Sequence, residues 1–557
     1  MSDPQVLIVG AGPVGLTAAL ALQSLGVGCR IIEKNAQRVT ESRALGIQAR
    51  TLEMFERVGM AERLLAAGII GNAVRIFLDG EEKVRVGFEQ LDTPYPCLLV
   101  LAQSETERLL GEEFHERGGQ VERLVELTTL VQDESGVTCT LRHADGRQET
   151  CRADYVLACD GAHSTVRKQV GLAFAGEPLP GTFVLADVLL DCDWPRDEGR
   201  VYAGKRGFLF NLPVGAKHWR VIAPLPPDEY PAPPEISLSL VQQLCDERGP
   251  PGLRPHDPAW LSVFHISSRI VERFRVGRVF LAGDAAHIHS PAGGQGMNTG
   301  MQEVFNLAWK LAMRLRGQVS DALLETYDAE RRPHAQSLLL TTHRATQVMM
   351  STSSAASWLK QSVLAVAGTF DLLPEKIAGQ ISDLKINYRH GPLSAEESID
   401  LGKWLQAYLG SQQPGPQSRL AFSLGPHAGD RAPDAEGLSR TPGEHHRLFD
   451  CCGNNLRHQV LIFAGESTTH ARLAQLDQTV RDLNARDPQL LQAALIRCGL
   501  GQADDQTLFD TQCLAHTRYG ARYECLYLIR PDGHIAFRTQ PADLAALDRY
   551  WTRVYRA

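Results

Sequence analysis

The stretch QVLIVGAGPVGLTAALALQSLGVGCRIIEK, Gln5 to Lys34, decides the fold. Val6 to Val9 form an apolar run suited to a strand buried on both faces. Gly10, Gly12 and Gly15 then spell G-x-G-x-x-G around Pro13 and Val14. After them Leu16, Ala19, Leu20 and Leu25 share a helical face, Gly26 supplies a stop, and CRIIE reads as a second strand. The pattern predicts a βαβ unit. Its first glycine permits a tight turn, the second lets a pyrophosphate approach the backbone, and the third lets helix and strand pack closely, with the helix amino terminus facing the anion. Glu33, followed by Lys34, stands about 20 residues beyond the glycines, where a carboxylate can accept hydrogen bonds from a ribose diol. This spacing predicts a bound dinucleotide and does not separate FAD from NAD.

The chain has 557 residues, enough for about three or four domains, and 43% hydrophobic with 22% charged residues is the balance of a globular protein. A net charge of -8 and the lack of any dense Lys/Arg block argue against nucleic acid as a partner. Between Asp3 and Arg30 no side chain is charged, which raises the question of a signal peptide or membrane helix. Glycines at 10, 12, 15, 26 and 28 and the acidic start argue against both, so a cytoplasmic location is expected, with no membrane partner. The twelve cysteines include no C-x-x-C and no zinc-finger spacing, and are expected to be reduced core thiols.

Two further stretches repeat the strand-to-loop pattern. ADYVLACDGAHSTVRKQVG carries an apolar run, Tyr155 to Cys159, that ends in Asp160 and Gly161. RVFLAGDAAHIHSPAGGQGMNTGMQEVFNLAWKL, Arg278 to Leu311, carries another that ends in Gly283 and Asp284, then a proline and glycine loop and a helix starting near Gly296 or Met297. In an open α/β sheet, ligands sit beyond the carboxyl ends of strands, so all three strand ends can meet one extended cofactor.

Taken in order, these three motifs resemble the flavin-dependent aromatic hydroxylases, the single-component monooxygenases that include p-hydroxybenzoate, phenol and polyketide hydroxylases. SRALGIQARTLEMFERVG, LAQSETERLL, NLAWKLA and YDAERRPHA extend the resemblance over about residues 4 to 345. It implies a Rossmann-type FAD-binding domain in two parts, about residues 1–174 and 271–409, around an inserted, mainly antiparallel β substrate domain at about 175–270. The adenosine end of FAD is then expected at the glycines and Glu33, with Arg43 and Gln103 along the middle of the cofactor. Asp160 belongs to the motif that the family uses for FAD and NAD(P)H, and Asp284 is expected to hold ribityl hydroxyls. Pro291, Gly293, Gly294 and Gly296 let the backbone approach the ring, while Met297 and Asn298 present helix amides to the flavin N1/O2 edge. Where the family often has Asp in this helix, Glu303 stands, and only local capping is expected to differ. His287 and His289 lack further ligands nearby, so no metal is expected.

Alternating runs between residues 175 and 270 predict antiparallel strands. The resemblance makes them a roof over the substrate, with Arg206, Phe208, Phe210, Trp219 and Pro291 as the side chains to test. GSQQPGPQSR, Gly410 to Arg419, reads as a linker, and HQVLIFAG and ECLYLIRPDGHIAFR read as strands of a domain at about 420–557. Similar extensions in the family are thioredoxin-like, and without C-x-x-C thiol redox chemistry is not expected.

The implied reaction reduces FAD with NADH or NADPH and transfers one oxygen atom of O₂, through a flavin C4a-hydroperoxide, to a phenolic or fused-ring aromatic substrate. No catalytic base can be assigned by residue, and a homodimer is compatible with the pattern. Two other readings compete: an FAD-dependent halogenase, against which stands the missing Trp-x-Trp-x-Ile-Pro stretch, and a noncatalytic FAD-binding redox sensor.

Overall fold

The computed structural model describes residues 3–38, 44–204, 206–226, 230, 234–290, 294–350, 372–398, 416–440, 445–452, 455–466, 468–486, 488–500 and 506–555. Val6–Val9, apolar on both faces, lies inside a six-stranded sheet with all four residues buried. The strand order is Arg275–Val276, Val279–Leu281, Tyr155–Ala158, Val6–Val9, Cys29–Glu33 and Val121–Arg123. Apart from the edge pair Arg275–Val276 and Val279–Leu281, neighbours run parallel. The crossover helix Pro13–Ser24 shares one core with the helix Gly296–Leu315, with Leu16 and Leu20 of the first buried among Val304, Leu307 and Leu311 of the second. A long helix, Ala322–Met350, is tied to this layer by Tyr327, whose hydroxyl donates to the Leu281 carbonyl at 2.8 Å.

An eight-stranded, mostly antiparallel sheet stands beside it in the order His287–Ile288, Pro255–Val271, Phe174–Leu190, His218–Leu225, Gly207–Val214, Glu198–Gly204, Ala73–Leu78 and Glu81–Gly87. Three of those strands come from outside residues 175–270, so the sheet is assembled from distant parts of the chain. One face packs on the helix Leu238–Arg248, burying Val184, Val221 and Trp219 against Leu240, Val241 and Leu244. The other face turns toward the first layer.

A seven-stranded sheet forms the carboxyl-terminal part. His458–Phe463 and Leu491–Cys498 run parallel, Cys525–Ile529 and Ile535–Gln540 form the antiparallel hairpin, and the thioredoxin-like order is completed by strands on both edges. One edge, Ala395–Ser398, comes from before residue 420. Of the segment expected to be a linker, residues 416–419 begin the helix Pro416–Leu424, since Pro at a first helical position is preset for the turn; residues 410–415 lie outside the described residues. The expectation of twelve free thiols is corrected as well. Cys498 and Cys513 are joined by a disulfide with Cα atoms 5.3 Å apart, which sheet pairing and a turn bring together although neither position is distinctive in sequence.

A fully buried ionic cluster fixes this sheet to the first layer. Glu330 accepts from Lys310 at 2.9 Å and from both terminal nitrogens of Arg530 at 2.6 and 2.9 Å, and Arg530 also holds Asp532. Asn306 donates to Glu330 at 2.8 Å and to Asp532 at 3.2 Å.

Candidate active site

Register brings the three motifs together. Val9 pairs with Ala158 and Ala158 with Leu281, so the residues that follow leave the sheet side by side. The ladder even continues past the strands, with the Cys159 amide donating to Val9 at 2.8 Å and the Ala282 amide to Ala158 at 3.0 Å.

Each glycine of the first motif has a distinct steric reason. A Cβ on Gly10, where φ is +101°, would lie 2.4 Å from the Cys159 carbonyl oxygen, and one on Gly15 would lie 2.0 Å from that of Gly10. Nothing stands within 4 Å of a Cβ on Gly12. Two glycines therefore serve packing, and the third borders open space at a helix start that no side chain caps, where Pro13 opens the helix. Such a helix end suits a phosphate. Glu33 accepts from the Ala11 amide at 3.0 Å and the Asn35 amide at 2.9 Å, so both carboxyl oxygens are oriented across the same turn. Lys34 beside it is exposed. Gln103 starts the helix Gln103–Glu116, takes the Ala44 carbonyl at 3.0 Å and donates from its side chain to Glu107 at 3.0 Å. Burial pushes the Glu107 carboxyl up, and Glu33 is near enough to add to that shift. Gln103 thus stands between the Glu33 turn and the Leu45 segment.

Asp160 caps the short helix Thr165–Gln169, its Oδ2 accepting from Thr165 at 2.7 Å and Val166 at 3.2 Å. Its Oδ1 is buried without a hydrogen-bond partner, and burial raises its carboxyl group above the ordinary range. An orphaned acceptor at the end of this strand is the feature that a bound cofactor's hydroxyl or amide would satisfy. Gly161 follows at φ +75° with open space around it.

The third motif closes on the first. Val14 packs against Gly283 and Gly300, where added Cβ atoms would come within 3.0 and 2.7 Å of its Cγ2. Two helix starts and the Asp284 turn therefore meet in one place. Asp284 is exposed in the turn Gly283–Ala285. Asn298, wholly buried, accepts from the Gln48 amide at 3.0 Å and donates to Gly46 at 2.8 Å and Gly294 at 3.3 Å, which fixes the start of the Gly296–Leu315 helix. No side chain caps that helix, so the amides at Gly296 and Met297 remain available to an anion. Arg43, Pro291 and Gly293 lie outside the described residues.

Glu303 does far more than local capping. Its Oε2 accepts the Gly283 amide at 2.8 Å, and its Oε1 lies 2.7 Å from Nε2 of His287. His289 stacks on His287 with centroids 5.8 Å apart, and burial, with His287 adding to it, pushes it down to about 3, so this imidazole is neutral. Arg167, 3.8 Å over the Phe174 ring, donates to the Ala285 carbonyl at 3.4 Å and so links the second motif to the third. Neither Glu303's reach nor Arg167's carries a local sequence signal.

Period-2 alternation sorts the roof. Phe208 groups with Phe183, Ile222, Phe264 and Ile266, and Phe210 groups with Leu45 and Val100 at a small three-stranded sheet of Gly46–Ile47, Leu98–Val100 and Ile69–Gly71. Two of the expected pocket residues fall elsewhere. Trp219 is 3% exposed on the opposite face, inside the core under the helix Leu238–Arg248. Arg206 is in a turn, its side chain 65% exposed and 3.4 Å from Glu247.

A parallel sheet whose strand ends carry an uncapped glycine-bordered helix start, an oriented carboxylate and a second uncapped helix, with an aromatic sheet beside it, is the arrangement of a dinucleotide-binding fold. Comparison with known proteins agrees. The chain belongs to the family described as "FAD binding domain", whose model matches residues 3–342. It is 37% identical over 402 residues to 6-methylpretetramide 4-monooxygenase of Streptomyces rimosus, covering 70% of this chain and 71% of that one. It is 32% identical over 500 residues to pentachlorophenol 4-monooxygenase of Sphingobium chlorophenolicum, covering 89% and 86%. Among solved structures, aklavinone-11 hydroxylase in ternary complex with FAD and aklavinone superposes with a TM-score of 0.75 at 25% identity over 100% of both chains. Anhydrotetracycline hydroxylase from Streptomyces rimosus superposes with 0.73 at 28% identity over 99% of both. The protein is an FAD-dependent monooxygenase of the aromatic hydroxylase class, with NAD(P)H as co-substrate. Among the described residues no helix is long and apolar enough to cross a membrane.

Proposed function

We propose that this monooxygenase hydroxylates a fused-ring phenol. The observation that carries the reading is the extent of the aromatic roof. Phe183 and Asp187 point to the same side of one strand, about 13 Å apart at ~3.3 Å per residue, with Phe208, Phe210, Ile222 and Phe264 on neighbouring strands. One phenol ring covers only part of that length, whereas several fused rings fill it. A simple phenol is the second reading, favoured by the pentachlorophenol relative that aligns over 89% of this chain.

The residues that would hold FAD are the Gly12 backbone for the pyrophosphate, Glu33 for the adenosine ribose, Asp160 and Asp284 for the central chain, and the amides at Gly296 to Asn298 for the pyrimidine edge. FAD, when bound, supplies hydride acceptance and oxygen activation. The protein's part is positional and electrostatic. The uncapped helix start offers positive potential where negative charge accumulates on reduction, without reorganisation at the moment of reaction. Glu303 keeps that helix registered to the Asp284 turn. The apolar roof excludes water from the reacting atoms, which protects the oxygen-transfer step against wasteful hydrolysis. Dependence on reduced nicotinamide suits a cytoplasmic location.

Turnover with isotopically labelled O₂ tests the reading. 1-Hydroxyanthraquinone or 2-naphthol should yield a product carrying one labelled oxygen atom with matching NAD(P)H consumption. Consumption that forms only hydrogen peroxide for every fused-ring phenol, with hydroxylation of a monocyclic phenol, would favour the second reading.

A further inference from the structure

The roof face turned away from the helix Leu238–Arg248 is apolar along most of its length, yet it holds two opposite charges. Asp187 pairs in register with Arg220 on one side and Trp260 on the other. Nε and Nη2 of Arg220 donate to the two carboxyl oxygens of Asp187 at 2.7 Å each, a bidentate fork, and the guanidinium carbon lies 5.2 Å from the centroid of the Trp260 ring. Alternation fixes which way both point. Their neighbours Val188, Trp219 and Val221 pack toward the helix, so Asp187 and Arg220 project from the opposite face, with Ile222. That face looks toward the flavin layer. Leu212, the cross-strand partner of Arg220, packs with Leu45 and Val100, and the adjacent Gly46 carbonyl accepts from Asn298 at the start of the Gly296–Leu315 helix.

We propose that Asp187 accepts a hydrogen bond from a hydroxyl group of the aromatic substrate and that Arg220 is its positioning residue; this rests on the hydroxylase reading above. A buried ion pair is a poor device for stability, since a hydrophobic pair of similar volume often serves as well or better. Its retention in an apolar face therefore points to chemistry. The side chain of Arg220 is 1% exposed and that of Asp187 is 15% exposed, so the carboxyl group is the member that reaches open space. A carboxylate has about four lone-pair sites, and the fork from Arg220 leaves acceptor capacity on both oxygens. The group it takes is a donor: a phenolic or enolic O–H lying flat among the aromatic side chains. A methyl ether cannot donate, and a substrate carboxylate at that position would be repelled.

The experiment compares 2-hydroxyanthraquinone with 2-methoxyanthraquinone, and 2-naphthol with 2-methoxynaphthalene, by perturbation of the flavin spectrum in the FAD-loaded protein. The wild type should bind each phenol at least about tenfold more tightly than its ether, in line with a site built to hydrogen-bond a hydroxyl. Asp187→Asn should shrink that preference to within about twofold, and Arg220→Lys should reduce it part of the way, because an ammonium holds the carboxylate without the fork. FAD content and thermal unfolding check that the variants fold. Should the single variants be unstable, the double replacement Asp187→Leu with Arg220→Leu removes the charge without leaving one member unpaired. Undiminished preference in any folded variant lacking Asp187 overturns the proposal while leaving the hydroxylase reading standing. If the wild type binds none of the four compounds, the fused-ring reading falls and this proposal falls with it.

Discussion

Glu303 of the Gly296–Leu315 helix and His287 of the strand His287–Ile288, 0% and 1% exposed, lie 2.7 Å apart beside the candidate flavin site, and the second oxygen of Glu303 holds the Gly283 amide at 2.8 Å. One side chain thereby joins the strand end that carries Asp284 to the Gly296–Leu315 helix, whose uncapped amides are proposed to meet the flavin edge. Glu303→Ala should lower stability by about 1–3 kcal/mol, because it leaves buried polar groups without partners. It should also weaken FAD binding at least tenfold, measured by fluorescence titration of the apoprotein. Glu303→Asp, one methylene shorter, should restore only part of that affinity. Wild-type FAD affinity in Glu303→Ala would remove this residue from the account of the site.

The glycines of the first motif should separate in their effects. Gly15→Ala drives a methyl group into the Gly10 carbonyl and should destabilise the apoprotein by about 1–3 kcal/mol or prevent its accumulation. Gly12→Ala, whose Cβ meets nothing within 4 Å and whose φ of -75° suits any residue, should leave apoprotein unfolding unchanged and weaken FAD retention. Equal effects of the two substitutions on the apoprotein would contradict the cradle at Gly12.

Asp383 gives a pH signature. Burial pushes its carboxyl group up to about 7, while Gln302 and Gln295, each donating at 2.9 Å, work against the rise. Its folded value lies above its unfolded value, so the folded state binds the extra proton between about pH 4 and 7, and the contribution is lost as pH rises through that window. Asp383→Asn should therefore gain stability relative to wild type at pH 8, on the order of 2–4 kcal/mol, and gain less than half as much at pH 5. Chemical unfolding at both values checks this; a difference independent of pH would show that Asp383 does not titrate as described.

Much of this arrangement could be read before the structure. The three strand ends were legible because a strand buried on both faces is continuous in sequence and its terminal Gly or Asp is unmistakable. The Gly296 helix start followed from the loop's glycines. Trp219 was misplaced because alternation reveals two faces of a strand without saying which one a helix covers. Asp187 and Arg220 were missed because only cross-strand register makes them partners. Glu303 was visible as an unusual residue, but its reach to Gly283 depends on how closely Val14 lets two helices approach. The Cys498–Cys513 pairing and the roof strands at Ala73–Leu78 and Glu81–Gly87 are tertiary facts with no local pattern.

The carboxyl-terminal sheet should prove inseparable from the flavin layer. Burial opposes ionisation of Glu330, but Arg530 and Lys310 outweigh it and hold the carboxyl group down to about 2. Arg530→Met removes the larger partner and strands a buried charge, which should cost about 3–5 kcal/mol. Thermal unfolding should show a single transition shifted downward and accompanied by FAD release. Loss of the carboxyl-terminal sheet alone, with the flavin-bound layer unfolding at its wild-type temperature, would contradict this coupling.

Anaerobic reduction of the purified protein by NADH and by NADPH, followed at the flavin absorbance with and without 1-hydroxyanthraquinone, 2-naphthol and phenol, tests the central claim most directly. A flavin hydroxylase with this roof should be reduced at least tenfold faster when a fused-ring phenol is bound, and admission of O₂ should then yield hydroxylated product. A protein that retains no FAD, or whose flavin is reduced at one rate whatever ligand is present and yields no hydroxylated product, would contradict it.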